Sequence, residues 1–150
     1  MKIKIPPPLV AFIFAVFQYL LAKYLPVGEF NFFGSEVLMY TMFGIGFLIM
    51  LGSFFQFFKK KTTTNPLEPE KATILVTQGI FKYTRNPMYL SLLLFLIGYA
   101  LKLGNAFNSL LLVGFVYFMN HFQIKREEQA LLKLFGKQYR LYSKATRRWF

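Results

Sequence analysis

The chain has 150 residues, of which 55% are hydrophobic and 20% aromatic, and its formal net charge is +12 at pH 7. It contains no cysteine, no aspartate and a single histidine. Disulfides, cysteine metal sites, a two-histidine zinc site and a Ser-His-Asp triad are therefore excluded, and we expect no metal site.

Four apolar runs follow one another along the chain, at residues 9–25, 37–58, 88–101 and 106–122. The first two are long enough to cross a hydrocarbon core of roughly 30 Å, and the last two carry polar residues at their ends. Two lysines precede the first run, but no small-residue cleavage motif follows it, so we expect a retained helix and not a signal peptide. The pattern predicts an all-α integral membrane protein with about four transmembrane helices.

The basic residues are distributed asymmetrically about these runs. If the amino terminus is cytoplasmic, every lysine and arginine except Lys23 and Lys102 falls on the cytoplasmic side. This positive-inside pattern predicts that both termini are cytoplasmic. Anionic lipids, attracted by about 1 kcal/mol per basic residue, are then the expected counter-charge, and nucleic acid is not an expected partner.

A polar connector at residues 59–87 separates the second and third runs, and no internal repeat accompanies it, so we expect a single domain over residues 1–150. Pro66, Pro69 and Gly79 make a continuous helix unfavourable there. Ordered connectors of this length in small proteins are often functional.

The last segment, residues 123–150, has the periodicity of an amphipathic helix. Apolar and basic residues recur on opposite faces, the first being Leu131, Phe135, Tyr139 and Tyr142 and the second Lys133, Lys137, Arg140 and Lys144. Two interpretations remain open, an interfacial helix among lipid headgroups and a lid over a cytoplasmic site. Gly136 predicts a bend or a close contact within this helix.

Polar side chains converge on the cytoplasmic ends of the last two spans. Arg85, Asn86 and Tyr89 lie at the start of the third span, where Pro87 suits the first turn of a helix. Asn120 and His121 end the fourth span, with two glutamates beyond. If that helix continues regularly, Tyr117, His121, Ile124 and Glu128 share one stripe.

Each of these residues also has a structural interpretation. Arg85 can be a snorkelling arginine, Asn86 a helix cap, Tyr89 an aromatic-belt residue, and Glu127 and Glu128 a solvated pair. Their coincidence favours a function, because adjacent carboxylates near hydrocarbon are costly without a partner. A polar, partly cationic ligand would supply that partner.

Two motifs resemble those of a known family. "LVTQGIFKYTRNPMYLSLLLFLIGYAL", residues 75–101, resembles the "LVTxGxYxxxRHPxYxG" motif of membrane isoprenylcysteine carboxyl methyltransferases, and its "NPMY" is closer to membrane phospholipid N-methyltransferases. "EEQALLKLFGKQYRLYSKATRRW", residues 127–149, resembles the carboxyl-terminal motif of the same family. The family-like core covers about residues 59–150.

The resemblance implies an S-adenosylmethionine-dependent methyltransferase whose cofactor binds on the cytoplasmic side between the last two spans, the connector and the tail. By motif position it implies cofactor contacts from Gly79, Arg85, Asn86, Tyr89, Gly98, Glu127 and Glu128. Asn86 stands where many members have histidine and Ser91 where the motif has glycine, so a titrating imidazole is absent at the first position.

The residue types suit this chemistry. Methyl transfer from a sulfonium is a displacement that chiefly needs positioning and exclusion of water. Glu127 or Glu128 can hold the cofactor's ammonium or ribose hydroxyls, Arg85 its carboxylate, and Tyr89 its sulfonium. Arg85 and His121 are the expected catalytic residues, the latter as proton acceptor if the acceptor is an amine.

We expect a lipophilic acceptor that enters from the bilayer, with either a prenylcysteine-type carboxylate or a phospholipid amine. Two alternatives stay open. One is a sterol-reductase-like enzyme that uses NADPH, and the other is a non-enzymatic four-helix membrane protein whose polar clusters only anchor it.

Overall fold

The computed structural model describes residues 5–26, 28–60 and 72–150, and within these the regular elements are all helical. A 3₁₀ turn, Gly79–Lys82, precedes α3, and a π-helical segment, Met119–Ile124, joins α4 to α5. The five α-helices are α1 (Pro7–Tyr24), α2 (Ser35–Lys60), α3 (Pro87–Leu103), α4 (Asn108–Phe118) and α5 (Lys125–Ala145). The all-helical prediction is therefore confirmed for the described part, whereas Lys2, Lys4, Pro66 and Pro69 lie outside it.

Two helices are long and apolar enough to cross a membrane, α1 over 18 residues and α2 over 25 residues from Ser35 to Lys59. Most of their side chains are not covered by the rest of the protein, which suits contact with lipid. α3 is apolar but has 17 residues, and α4 has 11 before its π-helical continuation. The count of four spans therefore stays a prediction.

The third helix, α3, is the centre of the fold, packing against α1, α2 and α4. Phe115, Met119 and Ile124 are fully buried in the cluster that α3 forms with α1 and α4. The fully buried Gln18 of α1 donates a hydrogen bond of 3.2 Å from its Nε2 to the carbonyl of Leu96, which joins α1 to α3 inside an apolar bundle.

α4, the π-helical segment and α5 form one continuous helical path that bends at Gly136. The glycine has φ 47° and ψ −116°, a conformation that side-chain-bearing residues avoid. Burial in α5 follows the predicted faces, with Tyr139 buried and the four basic residues of the opposite face exposed. The bend brings the two halves of α5 to different sides of the same polar cluster.

Replacing Gly136 should destabilise the protein. Gly136→Ala places a side chain on a backbone with positive φ, at a cost of about 1–3 kcal/mol in the free energy of unfolding. Gly44→Ala is the matched control, because that glycine lies within α2 at an ordinary φ and an added methyl group meets nothing within 4 Å. Thermal denaturation in detergent should show a lower Tm for Gly136→Ala and an unchanged or slightly higher Tm for Gly44→Ala. Equal Tm values for both variants would contradict this account of the bend.

Candidate functional site

A cavity of about 370 Å³ lies where the amino ends of α1 and α3, the carboxyl end of α2, the connector and α5 meet. Most of its wall is apolar, including Met50, Phe54 and Phe57 of α2. Its polar lining residues are Arg85, Asn86, Tyr89, Glu127, Glu128, Tyr139 and Tyr142. Apolar cavities with a few converging polar groups are typical of small-molecule sites.

The start of α3 positions the first of these polar groups. Pro87 occupies the first helical turn and Leu90 N–H donates to the carbonyl of Asn86 at 2.9 Å. The side chain of Asn86 makes no capping hydrogen bond to α3. Its Nδ2 instead donates to the carbonyl of Arg148 at 2.9 Å. The structural interpretation of Asn86 as a side-chain helix cap is therefore wrong.

The carboxyl-terminal residues dock along the segment before α3. Arg85 N–H donates to the carbonyl of Arg147 at 2.9 Å, and Thr84 Oγ1 donates to that of Arg148 at 3.1 Å. Further along, Tyr142 O–H donates to the carbonyl of Phe81 at 2.7 Å. Residues 142–148 are thus bonded to residues 81–86, and Leu131, Tyr139 and Tyr142 of α5 line the cavity, whereas the lid interpretation stays a prediction.

Glu128 lies between two arginines. Arg148 binds it in a bidentate manner, with Nε 2.9 Å from Oε1 and Nη2 2.7 Å from Oε2, and Arg85 Nη1 is 3.1 Å from Oε1. The hydrogen bonds to Glu128 raise the pKa of Arg148. Arg85 Nη1 also lies 3.3 Å from Tyr139 Oη, as a donor to it. We call Arg85, Glu128 and Arg148 the ion cluster, and its formal charge is +1.

Glu127 has different surroundings from Glu128. Tyr89 O–H donates a hydrogen bond to Glu127 Oε1, and Gln123 Nε2 donates to the same oxygen at 3.0 Å. Burial raises the pKa of Glu127 to about 7, although both hydrogen bonds act to lower it. Two adjacent glutamates therefore differ in their partners, one bound to arginines and the other able to exchange a proton near neutral pH.

Comparison with known proteins assigns the chain to a family. The sequence model described as phospholipid methyltransferase matches residues 35–138, which is more than half of the chain. The chain belongs to the phospholipid methyltransferase family. The expected resemblance to membrane methyltransferases is thereby confirmed.

Two relatives of this methyltransferase family member match parts of it. The chain is 48% identical over 62 residues to an uncharacterized protein of Haemophilus influenzae, an alignment that covers 41% of the chain and 98% of that protein. It is 37% identical over 76 residues to the protein-S-isoprenylcysteine O-methyltransferase of Schizosaccharomyces pombe, covering 49% of the chain but 31% of that longer protein. No solved structure matches the chain at a significant level.

Five residues that the methyltransferase motifs select line the cavity together, namely Arg85, Asn86, Tyr89, Glu127 and Glu128. Gly79 and Gly98 are not in its lining. A methyl group on Gly79, which has φ 63°, would lie 2.0 Å from Gln56 Nε2, and one on Gly98 would lie 3.0 Å from the ring of Phe43. In this structure both glycines permit close packing against α2.

His121 is also outside the cavity lining. Its ring stacks on that of Tyr117 with centroids 4.2 Å apart, on an exposed surface. Tyr117 and His121 are exposed whereas Ile124 is fully buried, so the predicted stripe that joins these residues to Ile124 and Glu128 is wrong. The wider π-helical turn of Met119–Ile124 separates the two halves of that stripe, and such turns are frequent at functional sites.

Three polar residues of the site were not among the predicted site residues. Gln123 stands four residues before Glu127, and this spacing is a signal that sequence alone could have supplied. Tyr139 lies within the carboxyl-terminal motif but was assigned only to the apolar face of the amphipathic helix, although its O–H meets Arg85. Arg148 also lies within that motif, but its contact with Glu128 depends on how the chain returns after α5.

The raised pKa of Glu127 makes stability depend on pH. Folding favours the neutral carboxyl, so the contribution is greatest below the ordinary value of 4.5 and is lost as pH rises through about 7. Between about pH 5 and about pH 8 the wild type should lose up to about 3 kcal/mol more of its free energy of unfolding than Glu127→Gln. Denaturation in detergent at both pH values measures the difference.

Glu36→Gln, at the exposed start of α2, is the control and should retain the wild-type pH dependence. If Glu127→Gln retained it as well, Glu127 would not be the titrating group.

Proposed function

We propose that the chain is an integral membrane methyltransferase that uses S-adenosylmethionine and methylates a lipophilic acceptor. The observation that carries this proposal is the gathering of Arg85, Asn86, Tyr89, Glu127 and Glu128 at one side of an apolar cavity in a member of the phospholipid methyltransferase family. The family match favours a methyltransferase over the reductase and anchoring alternatives.

The residues of the cavity fit this cofactor. S-adenosylmethionine carries a carboxylate, an ammonium, ribose hydroxyls and an activated methyl group on its sulfonium. Arg85 and Asn86 supply donors for the carboxylate, and the ring of Tyr89 would attract the sulfonium by about 0.5–2 kcal/mol. Glu128 accepts two hydrogen bonds from Arg148 and forms an ion pair with Arg85, and a carboxylate has about four acceptor positions, so capacity remains for the ammonium or a hydroxyl.

The chain's own part in the reaction is to align two substrates and exclude water. Hydrogen bonds join α5 and the residues after it to residues 81–86, some of which line the cavity. The ion cluster holds the Arg85 side chain, which is largely buried with 14% of its surface exposed. These hydrogen bonds and ion pairs would hold the reactants in position. No nucleophilic side chain is needed, because the leaving group of a sulfonium is already activated.

An amine acceptor fits the cavity better than a carboxylate acceptor. An ammonium must give up its proton before or as its nitrogen is methylated, and a group with pKa near 7 is suited to accept it. Glu127 has that property and lines the cavity, whereas His121 does not line it. We therefore propose Glu127 as the proton acceptor and a phospholipid amine as the methyl acceptor. A prenylcysteine carboxylate, the acceptor class named for the Schizosaccharomyces pombe relative, is the second candidate.

Access from the bilayer is the remaining element of the proposal. The apolar wall includes Pro7 and Pro8 at the start of α1 and Met50 and Phe54 of α2, and of these Pro8 and Phe54 are exposed. A lipid acceptor would enter between these helices. The proposal retains four spans, cytoplasmic termini and anionic lipid around the basic residues.

Cofactor binding tests the proposal directly. Isothermal titration of the detergent-solubilised chain with S-adenosylhomocysteine should give saturable binding, and NADPH should give none. Glu128→Gln should weaken that binding roughly tenfold, because it removes a charge-assisted acceptor and loosens Arg85.

Lys133→Gln is the matched control, since it also changes one charge on α5 but lies on the exposed face. Its affinity for S-adenosylhomocysteine should equal that of the wild type. If the folded wild type bound NADPH and not S-adenosylhomocysteine, the reductase alternative would replace the methyltransferase.

A further inference from the structure

A second, smaller crevice of about 290 Å³ lies on the other side of Arg85 and Glu128. The two halves of α5 form it, with Lys125 before the bend and Arg140 after it. Arg85, Glu128 and Tyr139 line this crevice as well as the larger cavity, so they form a wall between the two. We call the smaller space the basic crevice.

The basic crevice carries an excess of positive charge. Lys125, Arg140 and Arg85 line it, and Glu128 is its single acidic lining residue. Glu128 already accepts hydrogen bonds from Arg148 and is paired with Arg85, so little of its charge is left to compensate the others. Within residues 5–26, 28–60 and 72–150, Lys125 and Arg140 form no ion pair.

Arg85 has a donor that the described part of the chain does not satisfy. Its Nε is buried and has no hydrogen-bond partner among the described residues. A buried N–H without an acceptor costs about 1–3 kcal/mol, and more when the group is charged. An acceptor brought by a ligand would remove that cost.

We propose that the basic crevice binds a phosphate group, held by Lys125, Arg140 and Arg85. Arginine forks match the oxygen geometry of phosphate, and lysine adds a mobile point charge. The phosphate belongs either to a phospholipid headgroup or to free phosphate. The site can be tested separately from methyl transfer, because Lys125 and Arg140, unlike Arg85, do not line the larger cavity.

The single tryptophan of the chain reports on this region. Trp149 follows Arg148, and its Nε1 donates to Asn120 Oδ1 at 3.2 Å. Its fluorescence can be followed while the full chain in neutral detergent is titrated with dihexanoylphosphatidylglycerol, with inorganic phosphate, and with dihexanoylglycerol, which has the same acyl chains but no phosphate.

We expect saturable binding of dihexanoylphosphatidylglycerol and none of dihexanoylglycerol. Lys125→Gln and Arg140→Gln should each weaken binding roughly tenfold. Lys133→Gln and Lys137→Gln make the same charge change on exposed residues of α5 outside the crevice and should bind like the wild type. If inorganic phosphate binds and depends on Lys125 and Arg140 in the same way, free phosphate is a ligand of the crevice. If it does not bind, the ligand is the phosphate of a phospholipid headgroup.

Two results would overturn the proposal. One is equal affinity of all four variants for dihexanoylphosphatidylglycerol, which would reflect charge attraction alone. The other is loss of S-adenosylhomocysteine affinity in Lys125→Gln and Arg140→Gln with lipid binding intact, which would assign the crevice to the cofactor. A wild type that binds the lipid through these residues but not S-adenosylhomocysteine would retain this site and refute the proposed methyl transfer.

Discussion

The pairing of Glu128 with Arg85 and Arg148 is the interaction on which the site depends. It joins three parts of the chain that are distant in sequence: the start of α3, the first turn of α5 and the tail. Removing Glu128 from this partly buried ion cluster would leave two uncompensated arginines, so the cluster holds these parts together more firmly than an exposed pair would. The same arrangement lets Asn86 Nδ2 donate to the carbonyl of Arg148.

The ion cluster also lies between two spaces whose linings differ in chemistry. On one side is an apolar cavity with Glu127, Tyr89 and the other motif residues, and on the other is the basic crevice. Burial raises the pKa of Glu127 to about 7, while Glu128 is paired with Arg85 and Arg148. Adjacent residues on one helix can therefore serve proton transfer and ligand positioning separately.

Much of the site could be predicted from sequence because the predicted topology places both ends of the polar pattern on the same side. Arg85, Asn86, Tyr89, Glu127 and Glu128 were selected by motif and do line one cavity. Gly79 and Gly98 also match the motif but do not line the cavity, because they leave space for close packing against α2. His121, expected as the proton acceptor because it is the single imidazole of the chain, lies outside the cavity in a π-helical turn that hydrophobic periodicity does not reveal. The contact of Arg148 depends on the bend at Gly136 and the return of the tail, which only the three-dimensional fold determines.

Transfer of a labelled methyl group tests the central claim most directly. The purified chain, reconstituted in vesicles with phosphatidylethanolamine, would receive S-adenosylmethionine labelled in its methyl group, and label in the extracted lipid would be counted. We predict methylated phosphatidylethanolamine with the wild type and, as pH is lowered through about 7, a falling rate as Glu127 becomes protonated. Folded protein that binds S-adenosylhomocysteine but labels neither this lipid nor a prenylcysteine acceptor would contradict the account.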